Sequence, residues 1–327
     1  MRIRADLPDI SIFVSRRIDV NSMAVDNPLY RPMRCGAVFD TARNSAYAGD
    51  NTGNNISNKR LSYCELTVQY WAWKNVEADY YGLCHYRRYL SFSKQEYRTN
   101  GHGLVERAIL DNRECQRFGL LDPVRMSEQI AECDMIIPQA ASVDKMPLPR
   151  GRAHTVREMW IAHEGIFFPA GTVDRVSELI GKIAPEYARA AEDYLSGGYH
   201  CGYNCYVMKN MLFDRLCRLQ FSVMAAVPLA ENYPRTRAYV GEMLFGVFCH
   251  SVRTQEQYHV QERQLVLFEH TEPVKNGKEY IALCLKTQMG QMVRSIAGPL
   301  FPLGSARRER AKAIYNKIVN KNTWEKR

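Results

Sequence analysis

The chain lacks most of the short signatures that announce a chemistry. It has no Gly-x-x-x-x-Gly-Lys-Ser/Thr loop, no Gly-x-Gly-x-x-Gly after a strand, no Gly-x-Ser-x-Gly and no His-Glu-x-x-His. These absences set aside the P-loop NTPases, dinucleotide enzymes, α/β-hydrolases and zincin-type metalloproteases. No Asp-x-Asp follows a strand either, so the usual carboxylate pair for a metal–diphosphate is missing. No apolar run approaches the roughly 18 residues of a membrane span. The start, Met1-Arg-Ile-Arg-Ala-Asp6, has no apolar region to serve as a secretory signal, and a cytoplasmic location is expected. Ten cysteines are scattered through mostly apolar segments without one Cys-x-x-Cys pair. They read as buried free thiols in a reducing compartment rather than as a zinc site or disulfide framework. His200, Cys201 and Cys205 are close in sequence but lack a fourth ligand nearby.

What is present is ordinary globular composition, 46% hydrophobic and 24% charged over 327 residues. That length holds one large α/β domain or two smaller ones. The formal charge of +9 is uneven: residues 304–327 carry eight basic residues against two acidic ones. The rest is only mildly basic, which argues against a broad nucleic-acid face.

One stretch organises the rest: Asp79-Tyr-Tyr-Gly-Leu-Cys-His-Tyr-Arg-Arg-Tyr-Leu90. Its first half is a short buried strand, with Gly82 allowing close backbone approach. It then turns abruptly to His85, Arg87 and Arg88. Burying an unpaired guanidinium costs several kcal/mol, roughly. Open α/β sheets bind ligands at the carboxyl ends of their strands, and arginine's fork of donors suits phosphate or carboxylate. The group reads as an anion site for a diphosphate, or else as structural arginines tied to carboxylates in the core.

Before it, Asp9–Ser15 reads as the first strand, breaking into Ser15-Arg16-Arg17. Ser15 and Arg16 there meet a nucleotide, or are an ordinary strand end. The Asn-, Pro- and Gly-rich segment up to residue 60 is densest at Asp50-Asn-Thr-Gly-Asn-Asn-Ile-Ser-Asn-Lys-Arg60 and reads as a binding loop or an exposed linker. Asn51, Asn54, Asn58 and Lys59 are its candidates for nucleotide or sugar contacts, with turn chemistry as the alternative. Ser62 and Glu65 have capping-box spacing and open a helix through Lys74. Its aromatic stripe reads as core.

Residues 91–130 look polar and irregular, a lid or acceptor-side insertion. Glu132–Pro138 is a compact strand. Helices are expected at Thr155–Glu164, Val173–Ile183, Pro185–Leu195, Leu212–Val223 and Arg237–Cys249, and strands at Tyr203–Met208 and Gln264–Glu269. Lys286–Leu303 is mixed, with apolar residues at helical spacing. The last 24 residues form a basic helix with Ile314, Ile318 and Val319 on one side. That helix suits an anionic membrane surface, a subunit contact or a solvated tail.

Taken in order and spacing, Asn55-Ile-Ser57, Tyr63-Cys-Glu-Leu-Thr67, Tyr70-Trp71, Trp73-Lys-Asn75 and Gly82-Leu-Cys-His-Tyr-Arg-Arg-Tyr89 resemble one bacterial family. It is the polysaccharide-biosynthesis family long catalogued as a domain of unknown function and associated with galactofuranosyltransferases. Tyr203-Asn204, Val207-Met-Lys209, Phe213 and Gly241-Glu242 fit it too, and the resemblance runs from about residue 9 to 250. It implies a nucleotide-sugar transferase with a GT-A-like fold, a single Rossmann-type α/β domain over 1–270 with a C-terminal extension over 271–327. It implies UDP-galactofuranose or another UDP-sugar as donor, and a growing glycan in bacterial surface-polysaccharide synthesis as acceptor. Where the family usually has a Thr-His-Lys-type triplet, this chain has Ser15-Arg16-Arg17.

Glycosyl transfer requires a neutralised leaving diphosphate, a deprotonated acceptor hydroxyl and in-line positioning. His85, Arg87 and Arg88 supply the first, and their fixed donors in place of a metal motif lead us to expect a metal-independent reaction with no cofactor. Glu242, in an apolar helical run, is the first candidate base, unless it pairs with Arg237 or Arg88. Asp50 is the second. Asn204 is placed facing the sugar or acceptor. The expected partners are a UDP-sugar, a lipid-linked glycan and, through residues 304–327, the inner face of the membrane. The competing readings are a non-catalytic protein that binds a phospho-ligand or nucleic acid, and an inactive scaffold member of the family.

Overall fold

The computed structural model describes residues 3–41, 46–301, 305–311 and 313–314. Strand β1 (Ile10–Arg16) is buried at every position and lies at the centre of the sheet. To one side run β2 (Tyr30–Arg34) and β3 (Ala48–Gly49), all parallel. Helices α1 (Arg60–Tyr63) and α2 (Leu66–Asn75) lead to β4 (Tyr80–His85), which pairs parallel with the other side of β1. A turn at Tyr86 and Arg87 sends β5 (Arg88–Leu90) back antiparallel, with His85 opposite Arg88.

The chain continues through β6 (Leu104–Ile109), α3 (Asn112–Arg117), α4 (Pro123–Ala131), β7 (Met135–Pro138) and β8 (Ala141–Ser142). Next come α5 (Val156–Ile161), α6 (Thr172–Ile183), α7 (Ala188–Ser196), β9 (Tyr199–His200) and β10 (Tyr206–Lys209). The last elements are α8 (Asn210–Ala226), α9 (Thr236–Arg253), β11 (Val260–Arg263), β12 (Leu265–His270) and α10 (Gly277–Leu300).

The main sheet runs β3-β2-β1-β4-β10-β7-β11, and β10 is antiparallel to both neighbours. β12 extends it, antiparallel to β5 and parallel to β6. Alternation along the strands sends side chains to two cores. Ile10, Ile12 and Val14 join one with Tyr80, Cys84 and residues of α3 and α4. Phe13, Tyr81 and Leu83 join the other, covered by α2 and α5 to α9. The result is helices on both faces of a mixed, mainly parallel sheet, the expected GT-A-like α/β fold. At Gly82 a Cβ would meet Ile12 carbons and the Tyr206 carbonyl at 3.0 Å. The missing side chain lets β1, β4 and β10 close up where the site begins.

The structure differs from the sequence reading in several places. The segment before residue 60 is not all loop, because β2 and β3 lie within it; Tyr30-Arg-Pro-Met-Arg34 hides a strand by lacking alternation. Residues 91–130 are no irregular insertion. Asp111 and Asp122 cap α3 and α4 by accepting the Glu114 and Arg125 N–H groups at 2.8 and 3.0 Å, and Phe118, Met126 and Ile130 are buried. The helix opened by Ser62 and Glu65 is two helices, broken at Cys64 (φ 48°), and their capping box does not form. The strand expected from Tyr203 starts only at Tyr206. Of the basic tail, residues 306–311 and 313–314 are helical, and Ile318 and Val319 lie outside the described residues.

Candidate active site

The end of β4 and the turn after it gather polar atoms that lack a hydrogen-bond partner among the described residues. His85 Nδ1, Arg87 Nε and Arg88 Nε are each buried and without a hydrogen bond among the described residues. Neither arginine forms an ion pair there, although arginines elsewhere among the described residues do, as Arg34 with Asp40 and Arg253 with Glu262. An unmet buried donor costs about 1–3 kcal/mol, more when charged. The side chains are only half-buried, so an incoming anion can reach them. Arg88 lies over the Tyr203 ring at 4.9 Å and Arg87 beside Tyr86 at 5.8 Å. Burial, then Arg88, Arg87 and Arg17, hold the His85 pKa well below the usual imidazole range. This favours the neutral ring, which offers a hydrogen bond and leaves the positive charge to the two arginines.

Glu242 faces this group from α9. Its Oε1 accepts the Tyr203 N–H at 2.6 Å. Loss of water pushes its pKa up to about 7; Arg88 opposes the rise, Glu65 adds to it and the Tyr203 N–H opposes it. Some of its surface remains accessible, but the carboxyl is deep enough for desolvation to dominate. The suggested pairing with Arg237 is not seen, since that guanidinium donates to the Ala225 and Val227 carbonyls and to the Tyr63 hydroxyl.

Asn204, 1% exposed, connects Glu242's surroundings to α2. Its Nδ2 donates to Glu65 Oε1 at 3.1 Å. This bond explains the failed capping box: the Glu65 carboxylate reaches toward Asn204 rather than its own helix. Behind them, Gln69 Nε2 donates to Gln220 Oε1 at 2.6 Å, and Gln220 Nε2 donates to the Gly241 carbonyl at 2.7 Å. This buried amide chain ties α2, α8 and α9 together next to Glu242. Cys64, Tyr203 and Asn204 are the non-glycine residues at positive φ among the described ones. Each costs on the order of 1–3 kcal/mol, and such strain concentrates at functional sites. All three adjoin the Glu65–Asn204–Glu242 group.

Other expected site residues are committed elsewhere. Asp50 is fully buried and saturated. Its carboxylate accepts the Gly36 and Ala37 N–H groups at 2.9 Å and the Ser57 and Thr67 hydroxyls at 2.5 Å. With every lone pair engaged it pins the loop, and we withdraw it as a base. Arg16 is likewise consumed by the Met23 and Ser22 carbonyls and the Tyr47 ring, and Ser15 is buried in the sheet. Asn54 is fixed against α2, where its Oδ1 accepts the Tyr70 hydroxyl at 3.3 Å and its carbonyl the Asn75 amide at 2.8 Å. Asn51, Asn58 and Lys59 are exposed on the same loop. His200 Nδ1 bonds the Tyr194 hydroxyl at 2.7 Å instead of joining a metal cluster. Among the described residues no three His, Cys, Asp or Glu side chains converge as ligands.

The structure adds residues the sequence did not single out. Glu65 passed for a helix cap. His102 fell in the segment read as an irregular insertion, yet its carbonyl accepts the Tyr203 hydroxyl at 3.1 Å. Burial, then His163 and, more weakly, Arg88 lower its pKa, with Glu106 opposing them. On α9, one turn before Glu242, the Tyr239 ring lies tilted against Phe167 at 5.3 Å, and His163 stands 5.4 Å from the same Phe167.

Fold and site together define a GT-A-like α/β protein with an arginine-lined strand end opposite a carboxyl held near neutrality. The chain belongs to the family described as a domain of unknown function (DUF4422), whose model matches residues 12–255. That is in keeping with the resemblance read from the sequence. Its fold is similar to that of the WbbM bifunctional glycosyltransferase, solved as an apo structure, with a TM-score of 0.70 and 23% identity. The match covers 82% of this chain and 47% of that one, so the chain spans about half of WbbM's length. No curated protein matches.

Proposed function

We propose that the chain is a glycosyltransferase that moves a sugar, galactofuranose by family resemblance, from a UDP-sugar to a glycan in bacterial surface-polysaccharide synthesis. The observation that carries this is the juxtaposition of Arg87 and Arg88, unpaired, with Glu242. The donor diphosphate takes the guanidinium donors left unmet among the described residues, and the His85 ring adds one hydrogen bond. Charge developing on the departing UDP is stabilised by donors already in place, which need no reorganisation. Glu242, its pKa raised toward neutrality by burial, removes in its ionised form the proton of the acceptor hydroxyl as that oxygen bonds to the anomeric carbon. The carbon–oxygen bond to UDP breaks, and the proton leaves with the Glu242 carboxyl. Two arginines in the role of a cation make the reaction metal-independent in this reading.

The test is binding followed by turnover. UDP and UDP-sugars should raise the melting temperature, with an oligonucleotide of equal charge giving no shift. UDP release from UDP-galactofuranose should then depend on added glycan. A chain stabilised by the oligonucleotide and indifferent to UDP would instead be a nucleic-acid binder.

A further inference from the structure

Helix α10 is apolar on the wrong side. Its inner face packs on β6: the Tyr280 hydroxyl donates to Asp111 Oδ2 at 3.0 Å, Thr287 is buried and Gln291 Nε2 donates to the Glu106 carbonyl at 3.4 Å. On the opposite face Ile281, Leu285, Met289, Met292, Val293 and Leu300 are between 52% and 65% exposed. Ile281, Leu285, Met289, Met292 and Val293 follow helical spacing along one stripe roughly 18 Å long at 1.5 Å per residue, with Leu300 exposed again at the helix end. Exposed apolar surface of this extent marks an interaction site.

Charge identifies the occupant. Lys278 and Lys286 are exposed on the helix, and in sequence α10 is followed by residues 304–327, with eight basic and two acidic residues. A second copy of the chain would bring two such segments together and repel. An anionic bilayer satisfies both features, taking the apolar stripe at the boundary between headgroups and acyl chains and the basic residues at the phosphates. The orientation is informative too. α10 contacts Asp111 first and Glu106 later, so it runs antiparallel to β6 and heads toward the strand end where His102 meets Tyr203.

We propose that the outward face of α10 is a docking surface for an anionic lipid bilayer, turning the His102–Tyr203 edge of the candidate site toward the membrane. The contact does not depend on the transferase chemistry. It is tested by co-sedimenting the full chain with vesicles of phosphatidylcholine alone or with about one third phosphatidylglycerol, at low and high salt. Anionic vesicles should hold the protein at least about tenfold better, with the gain shrinking in high salt. The Leu285→Glu/Met289→Glu/Val293→Glu variant should lose about tenfold of that binding with an unchanged melting temperature, and Leu285→Gln/Met289→Gln should lose part of it. Vesicle binding by these variants equal to the parent overturns the proposal. So does a parent chain that ignores anionic vesicles, or one that forms a dimer dissolved by the same substitutions without binding lipid.

Discussion

Replacing Glu242 by Gln tests the site in two directions at once. The Glu242 pKa rises from 4.5 to about 7 on folding, chiefly through loss of water. A carboxyl whose pKa is raised in the folded state costs stability as pH increases: the protein is most stable below about pH 4.5 with respect to this group, and the loss is complete above pH 7. At 1.36 kcal/mol per unit, ionising Glu242 at pH 8 costs roughly 3 kcal/mol, an upper figure because the side chain keeps some contact with water. Gln preserves the acceptor for the Tyr203 N–H but carries no charge. Glu242→Gln should therefore match the parent's stability at pH 5 and exceed it at pH 8, while turnover falls about 10²- to 10⁴-fold, the usual worth of a general base. Urea denaturation at the two pH values, paired with UDP-release kinetics, reads both effects. A variant with near-normal turnover would refute the base assignment. One stabilised equally at both pH values would refute the burial argument.

Other expectations follow from the same network. Glu65 raises the Glu242 pKa, so Glu65→Gln should shift the acid limb of kcat/KM to lower pH; an unmoved limb would make Glu65 purely structural. Arg87→Gln and Arg88→Gln should each weaken UDP binding by about 10- to 100-fold in calorimetry, the worth of a charge-assisted bond, without lowering the melting temperature of the free protein. Asp50→Asn, turning an NH₂ toward two of its four donors, should lower stability by about 2–4 kcal/mol in denaturant titrations yet leave the folded protein's turnover near normal. Chelator should leave UDP binding and transfer unchanged; complete loss restored by Mn²⁺ would overturn the metal-independent reading.

Local pattern was enough for much of this protein. β1 and β4 are runs of buried apolar and aromatic residues, α9 keeps helical periodicity around one carboxylate, and the change of character at His85 marks the end of β4. Each is a property of neighbours within about ten residues, which is the range over which strand alternation and helix periodicity operate. Where charge and apolar pattern competed, local reading failed: β2, with its proline and arginines, passed for loop, and the capped helices α3 and α4 passed for an irregular insertion.

The tertiary structure decided what each polar group does. Asp50 and Glu242 are both carboxylates in promising settings. One was turned into a pin by four donors, and the other was left with one N–H, a nearby arginine and little water. Glu65 has the spacing of a helix cap, but its carboxylate meets Asn204, 139 residues away. The Arg87 and Arg88 pattern allowed either a structural ion pair or an anion site. Only packing shows that no carboxylate among the described residues pairs with them. Partners of this kind are chosen by the crossing of distant strands and helices, and a sequence window cannot contain them.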